Sequence, residues 1–185
     1  MEQPWSAIVL AGGRGTRLDG ADKASIEVGA RTLLARSLDA LADAAEVVVV
    51  GDPVPTERPV TFVRESPAYG GPAAALLTGL DALLAPAAYV AVAAVDMPYL
   101  SGGTWRRLVD AAAGRDGSAL VGPDGRRQLA VVVATAPLLR ARPDHERQHD
   151  LPLWRLLSSL SLVEVVAVGG EHRDIDTWAD LRDAD

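Results

Sequence analysis

Ser6-Ala7-Ile8-Val9-Leu10-Ala11-Gly12-Gly13-Arg14-Gly15-Thr16-Arg17-Leu18-Asp19-Gly20-Ala21-Asp22-Lys23 is the stretch from which the rest of the chain can be read. Its first six residues are an apolar run, which predicts a strand buried on both faces. The remainder is a loop rich in Gly, Arg and Asp. Strands of that kind belong to parallel sheets covered by helices, and such sheets bind ligands beyond the carboxyl ends of their strands. Closely spaced Gly residues let backbone amides approach a phosphate, while Arg17 and Lys23 supply charge. The loop is neither of the two commonest phosphate-binding signatures. A Walker A loop needs Gly directly before its Lys, whereas Lys23 follows Asp22, and the dinucleotide fingerprint needs a third Gly where Leu18 stands.

Working outward, strands alternate with helices. Residues 46–50, 60–63 and 89–95 read as further buried strands, the last being the most completely apolar. Thr32 is suited to cap a helix whose apolar positions Leu33, Leu34, Leu38 and Leu41 follow helical spacing. Gly70-Gly71-Pro72 opens another helix, with Pro in the first turn, where its missing N–H costs nothing. Ser101 opens a third. Residues 118–121 and 128–135 predict two strands around the Pro123-Asp124-Gly125 turn. A short helix over 153–160, a strand over 162–168 and a helix over 177–183 complete the chain. The expected architecture is α/β, a three-layer sandwich around a mostly parallel sheet, as one domain over 1–185.

Composition narrows the function classes. With 185 residues, 49% of them hydrophobic and 23% charged, the chain has material for a real core. Its net charge of −7 makes it a poor general binder of nucleic acid or anionic membrane. The absence of Cys excludes disulfide scaffolds, thiol catalysis and iron–sulfur clusters. No basic stretch precedes the first strand and no apolar run reaches membrane length, so a cytoplasmic protein is expected. Among the 18 basic residues only Lys23 is Lys, and there is no Asn. In an Arg-biased chain, a lone Lys in a Gly-rich loop points to a place where a compact ammonium is needed and a forked guanidinium does not serve.

Two acidic positions complete the constellation. Asp96 ends the fourth strand, and Pro98 turns the chain away after it, which projects the carboxylate into the crevice. Asp174 and Asp176 flank Ile175 before the terminal helix, so both face away from the side that Ile175 buries. Hard oxygen ligands beside a phosphate loop suit Mg²⁺ against a triphosphate. Two acids, a Gly-rich loop and two cations describe metal-assisted phosphoryl or nucleotidyl transfer.

The residues 10–18 followed by Asp22-Lys23 resemble the signature loop of the nucleotidyltransferases with a Rossmann-like fold. Within that superfamily the chain most resembles the MobA-like molybdenum cofactor guanylyltransferases, nearly end to end. Gly71-Pro72-Ala73-Ala74-Ala75, Asp96-Met97-Pro98 and Asp174-Ile175-Asp176-Thr177 fall in that family's order. The resemblance implies that Leu10, Ala11, Gly12 and Gly13 hold the nucleotide through the backbone, and that Arg17 and Lys23 bind its phosphates. Asp52, Glu65 and Asp96 are implied as nucleotide contacts after successive strands. Asp96 is also the implied ligand of Mg²⁺ (or Mn²⁺), with Asp176 as second carboxylate and Asp174 as its alternative. Arg17, Lys23 and Asp96 are the implied catalytic set. The implied reaction moves GMP from GTP to the terminal phosphate of molybdopterin, or of the molybdenum cofactor, and releases pyrophosphate. The implied assembly is a monomer or weak homo-oligomer, in transient contact with proteins that deliver the cofactor. The chain departs from the family's usual pattern at Asp52, Glu65 and Asp174, where Asn, Asp and Asn are common, and at Gln128-Leu129, where Pro usually follows.

Two other readings use the same letters. A cytidylyltransferase, or another transferase of nucleotides to small phosphorylated molecules, would employ the same loop and acids with a different base and acceptor. His145-Glu146-Arg147-Gln148-His149 matches the His-Glu-x-x-His pattern of zinc hydrolases. That chemistry needs both His on one face of a helix with an apolar back, and the motif lies in the segment 142–152, between Pro143 and Pro152 and among polar residues. Tyr99 and Trp154 fall near the expected cleft and offer rings for stacking.

Overall fold

The computed structural model describes residues 4–12, 22–66 and 68–182. In chain order its elements are strand β1 (Trp5–Leu10), strands β2 (Glu27–Val28) and β3 (Arg31–Thr32), helix α1 (Leu33–Ala40), strands β4 (Val47–Val50) and β5 (Thr61–Val63), and helix α2 (Pro72–Ala82). Strand β6 (Tyr89–Ala94), helix α3 (Gly102–Ala112), strands β7 (Gly117–Val121) and β8 (Arg127–Ala134) and helix α4 (Thr135–Ala141) follow. Helix α5 (Leu153–Leu156), strand β9 (Leu162–Val166) and helix α6 (Trp178–Arg182) close the chain.

Seven strands form one sheet in the order β5-β4-β1-β6-β8-β7-β9, and only β8 runs against the rest. The chain leaves β1 toward β4 and β5, then crosses to β6 on the other side of β1. This reversal of direction opens a crevice at the carboxyl ends of the strands next to β1.

Side-chain alternation builds the three layers. Ala7 and Val9 of β1, Val47 and Val49 of β4, and Ala91 and Ala93 of β6 pack with Leu33, Leu34 and Trp105 from α1 and α3. Ile8 and Leu10, Val48 and Val50, and Val90 and Val92 point the other way, against Leu76, Leu77 and Leu80 of α2. Both faces are therefore dry, which is why these strands read as unbroken apolar runs. Helix α2 comes close enough to the sheet that a Cβ at Gly79 would lie 2.5 Å from Ile8 Cγ2. The expected caps are in place: Thr32 Oγ1 accepts from the Ala35 amide over 3.1 Å, and Ser101 with Thr104 forms a reciprocal capping box.

Several details differ from the sequence expectation. The helix expected over 153–160 is α-helical only over Leu153–Leu156 and continues as a 3₁₀ turn over Leu157–Ser159. Residues 27–32 form a small antiparallel hairpin, β2–β3, turned by Gly29 at φ +61°. The strand expected through Thr135 ends at Ala134, and residues 135–141 form α4, with Pro137 within the first turn, where a missing N–H is tolerated. The last strand stops at Val166, short of Val168.

Candidate active site

The carboxyl ends of β1, β4, β5 and β6 surround a crevice of about 890 Å³, lined among others by Leu10, Gly12, Lys23, Asp52, Glu65 and Asp96. Gly51 allows the strand ends to close on each other, since a Cβ there would meet Ala11 Cβ at 3.1 Å. The amides of Ala11 and Gly12 both donate to the Val50 carbonyl over 2.9 Å. Those donors are committed to the fold and are not free for a ligand. Gly71, at φ +88°, leads the chain into α2 at the rim of the crevice. The first amides of α2 have no side-chain cap there, a setting that favours anions.

Lys23 joins the two acids. It begins a short 3₁₀ turn, Lys23–Ser25, whose Asp22 cap accepts from the Ala24 amide. From there its Nζ donates to Asp96 Oδ2 and to Asp176 Oδ1, each over 2.7 Å. Burial disfavours the ammonium, but the hydrogen bonds to Asp176 and Asp96 outweigh it and raise the Lys23 pKa, so the group is charged. Asp176 is brought in by its neighbour: Ile175 is buried, and its amide donates to the Asp96 carbonyl over 2.8 Å. Asp174 stands beside the pair. Its side chain is exposed, yet the surrounding protein and the Asp176 and Asp96 charges raise its carboxyl above the ordinary range.

A family model described as the MobA-like NTP transferase domain matches residues 7–174. The chain belongs to this family. It is therefore a nucleotidyltransferase, with the α/β fold expected for that class. A probable molybdenum cofactor guanylyltransferase of Natronomonas pharaonis is 26% identical over 97% of this chain and 96% of its own. A molybdenum cofactor guanylyltransferase of Mesorhizobium japonicum is 34% identical over 69% of this chain and 65% of its own length. Among solved structures, the 2-C-methyl-D-erythritol 4-phosphate cytidylyltransferase of Thermus thermophilus superposes with a TM-score of 0.75 at 25% identity, over 98% of this chain and 97% of that one. The molybdopterin-guanine dinucleotide biosynthesis protein A of Archaeoglobus fulgidus superposes with a TM-score of 0.72 at 20% identity, over 97% and 96%, and supports the fold alone.

Against this transferase framework, the structure gathers Leu10, Ala11, Gly12, Lys23, Asp52, Glu65 and Asp96 around one crevice and ties Asp176 to it through Lys23. Gly13 and Arg17 lie outside the described residues. Sequence reasoning missed the partner of Asp52: Arg64 Nε lies 2.9 Å from its carboxylate, with both side chains largely exposed at the crevice edge. It also missed the setting of Glu171, a buried carboxylate that takes hydrogen bonds from Thr104, Arg107 and the Val168 amide.

The His-Glu-x-x-His letters do not make a helix face. His145–Arg147 is a single 3₁₀ turn, and His149 Nδ1 turns to the Asp150 carboxylate at 3.0 Å. Among the described residues no group of three or more His, Asp or Glu is assembled to hold a metal by itself. Nor is any helix among them long and apolar enough to cross a membrane. Tyr99 and Trp154 each carry a guanidinium, from Arg173 and Arg127.

Proposed function

We propose that this transferase moves GMP from GTP to the terminal phosphate of molybdopterin or its molybdenum-loaded form. The observation that carries the reading is the Lys23 ammonium held between Asp96 and Asp176 at the floor of the crevice. Membership of the family and the names of the relatives matched support the choice of nucleotide and acceptor.

In the reaction a phosphate oxygen of the acceptor attacks the α-phosphorus of GTP. A new P–O bond forms, the bond from the α-phosphorus to the bridging oxygen breaks, and pyrophosphate leaves with that electron pair. The acceptor phosphate is already ionised at neutral pH, so no general base is required. Lys23, and Arg17 by family resemblance, neutralise charge on the departing phosphates. Asp96 and Asp176 converge on one cation, and their hard oxygens fit Mg²⁺ or Mn²⁺, which commonly takes one or two carboxylates and completes its shell with substrate phosphates and water. When bound, such an ion supplies charge stabilisation at the α-phosphate.

For guanine, Asp52 offers an acceptor to N1–H and the 2-amino group, and Arg64 a donor to O6. The same pair also complements the N4 amino group and O2 of cytosine. Together with the likeness to the Thermus cytidylyltransferase, this makes CMP transfer the second reading.

A panel of GTP, CTP, ATP and UTP with Mg²⁺, with and without molybdopterin, tests both. The expected result is GTP-selective thermal stabilisation, with pyrophosphate released only when molybdopterin is present. Selectivity for CTP moves the reading to the second branch. Absence of any nucleotide effect overturns both.

A further inference from the structure

We propose that Tyr69 stacks on the base of the bound nucleotide and supplies the face contact that Asp52 and Arg64 do not. The inference rests on the nucleotidyl-transfer reading above and deepens it at the same crevice. Asp52, Arg64, Glu65 and Tyr69 all line that crevice, where β4 and β5 end and the chain leads into α2. A nucleobase carries its hydrogen-bonding groups on its edge and a π surface on each face. A carboxylate and a guanidinium suit the edge, and a flat ring suits the face. Among the described residues that line the crevice, Tyr69 is the one aromatic.

Its exposure sets Tyr69 apart from the other rings. Aromatic residues are scarce, 4% of the chain, and Trp5, Tyr89 and Trp105 are spent on the core. Tyr69 has a contact of its own within the fold and is nevertheless 67% exposed. A base laid on that ring removes apolar surface of both from water.

The backbone beneath the ring is strained and firmly held. Tyr69 has φ +56°, in the left-handed region that a bulky side chain rarely enters. Such a conformation costs stability and persists only where the surroundings impose it. Hydrogen bonds on both sides of Tyr69 do so. Before it, the Ser66 amide donates to Thr78 Oγ1 of α2 over 3.0 Å, and that hydroxyl donates back to the Ser66 carbonyl over 3.2 Å. After it, the Gly70 carbonyl accepts from the Asp150 amide over 2.8 Å, and the Gly71 carbonyl from the Ala75 amide over 2.9 Å. Glycine would adopt the same φ without strain, and the chain has glycine at the next two positions. A tyrosine kept in the strained place, with its ring open at a nucleotide crevice, is what a base-stacking role explains.

The test is calorimetric titration, in Mg²⁺, of the α,β-methylene analogues of GTP and CTP and of inorganic tripolyphosphate, which has no base. Wild type, Tyr69→Phe, Tyr69→Ala and Tyr69→Gly are compared, with urea unfolding as a check on folding. For the analogue that wild type prefers, Tyr69→Ala is expected to weaken affinity about 5- to 100-fold, the scale of one base–aromatic stack. Tripolyphosphate, with no face to stack, is expected to bind every variant within about twofold of wild type. Tyr69→Phe keeps the ring and is expected to hold the analogue within about threefold of wild type. Tyr69→Gly removes the ring and relieves the backbone, so it should match Tyr69→Ala in affinity while unfolding at a higher urea concentration than Tyr69→Ala. Near-wild-type affinity for the analogue in Tyr69→Ala or Tyr69→Gly overturns the stacking and leaves the transferase reading intact. An equal loss of analogue and tripolyphosphate overturns it too, since the whole crevice would then have changed. Failure of wild type to bind either analogue overturns the transferase reading and this contact together.

Discussion

Ile175 donates its amide to the carbonyl of Asp96 over 2.8 Å while its side chain is 1% exposed. One residue thus anchors the loop of the second acid to the strand end of the first, 79 positions earlier in the chain. Asp176 meets Lys23 because Ile175 is buried, and the geometry of the acidic pair depends on an apolar contact.

Ile175→Ala is therefore expected to do two things at once. Removing the buried side chain should cost about 2–4 kcal/mol in urea unfolding. It should also weaken Mn²⁺-dependent nucleotide binding, because Asp176 loses its fixed distance to Asp96. Ile175→Val keeps the anchor and is expected to cost about 1 kcal/mol with binding unchanged.

Lys23→Ala leaves Asp96 and Asp176 facing each other without their shared cation. Pyrophosphate release measured in a single turnover is expected to fall about 10²- to 10³-fold, the usual cost of one positioned charge at a developing anion. Lys23→Arg should recover little, because a planar fork cannot occupy the point between two carboxylates that an ammonium fills. Recovery to near wild-type rate would show that charge alone matters there.

The sequence made the centre of this site legible because each part carries a strong local signal. Strand β6 is apolar to its end, so Asp96 stands out as the first acid beyond the core, and Lys23 stands out as the only Lys in an Arg-biased chain. What stayed hidden depends on pairings between distant residues. Arg64 follows β5 and Asp52 follows β4, and only the parallel register of those strands brings them to 2.9 Å. The setting of Glu171 was hidden in the same way, since nothing local announces that Thr104 and Arg107 of α3 close over it. Helix α4 was hidden differently: it continues from β8 without a Gly or a polar turn, and Pro137, which sits in its first turn, reads as an end to the strand and not as the start of a helix. The His-Glu-x-x-His match shows the opposite case. Its three specified residues agree, but the polar segment around them has no apolar face to make a helix, and His145–Arg147 forms one 3₁₀ turn.

Gly79→Ala sets helix propensity against packing. In an exposed helix interior, Ala is favoured over Gly by about 0.8–1 kcal/mol. Here the new Cβ would lie 2.5 Å from Ile8 Cγ2 and 3.0 Å from Val50 Cγ2, both on branched side chains fixed in the core. Packing wins, and the substitution is expected to destabilise by about 1–3 kcal/mol in urea unfolding. Moving α2 away from β1 and β4 also widens the crevice, so nucleotide affinity should fall in the same variant. A gain in stability would mean that the helix shifts outward at no cost.

Glu171 gives the fold an acid-sensitive clasp between α3 and the segment after β9. Burial opposes its charge, but hydrogen bonds from Arg107 at 2.6 Å, Thr104 at 2.5 Å and the Val168 amide at 2.7 Å prevail, and its pKa lies below the ordinary 4.5. A carboxylate whose pKa is depressed by folding stabilises the native state above its unfolded pKa, and loses that contribution as pH falls through the folded value. Wild type should therefore lose stability from about pH 4.5 downward by a component that Glu171→Gln lacks. At pH 7 the Gln variant is expected to be less stable by about 1–3 kcal/mol, since it leaves Arg107 without its charge partner, and the two denaturation curves should converge as the pH drops. Parallel curves across the acid range would assign the acid transition to other carboxylates.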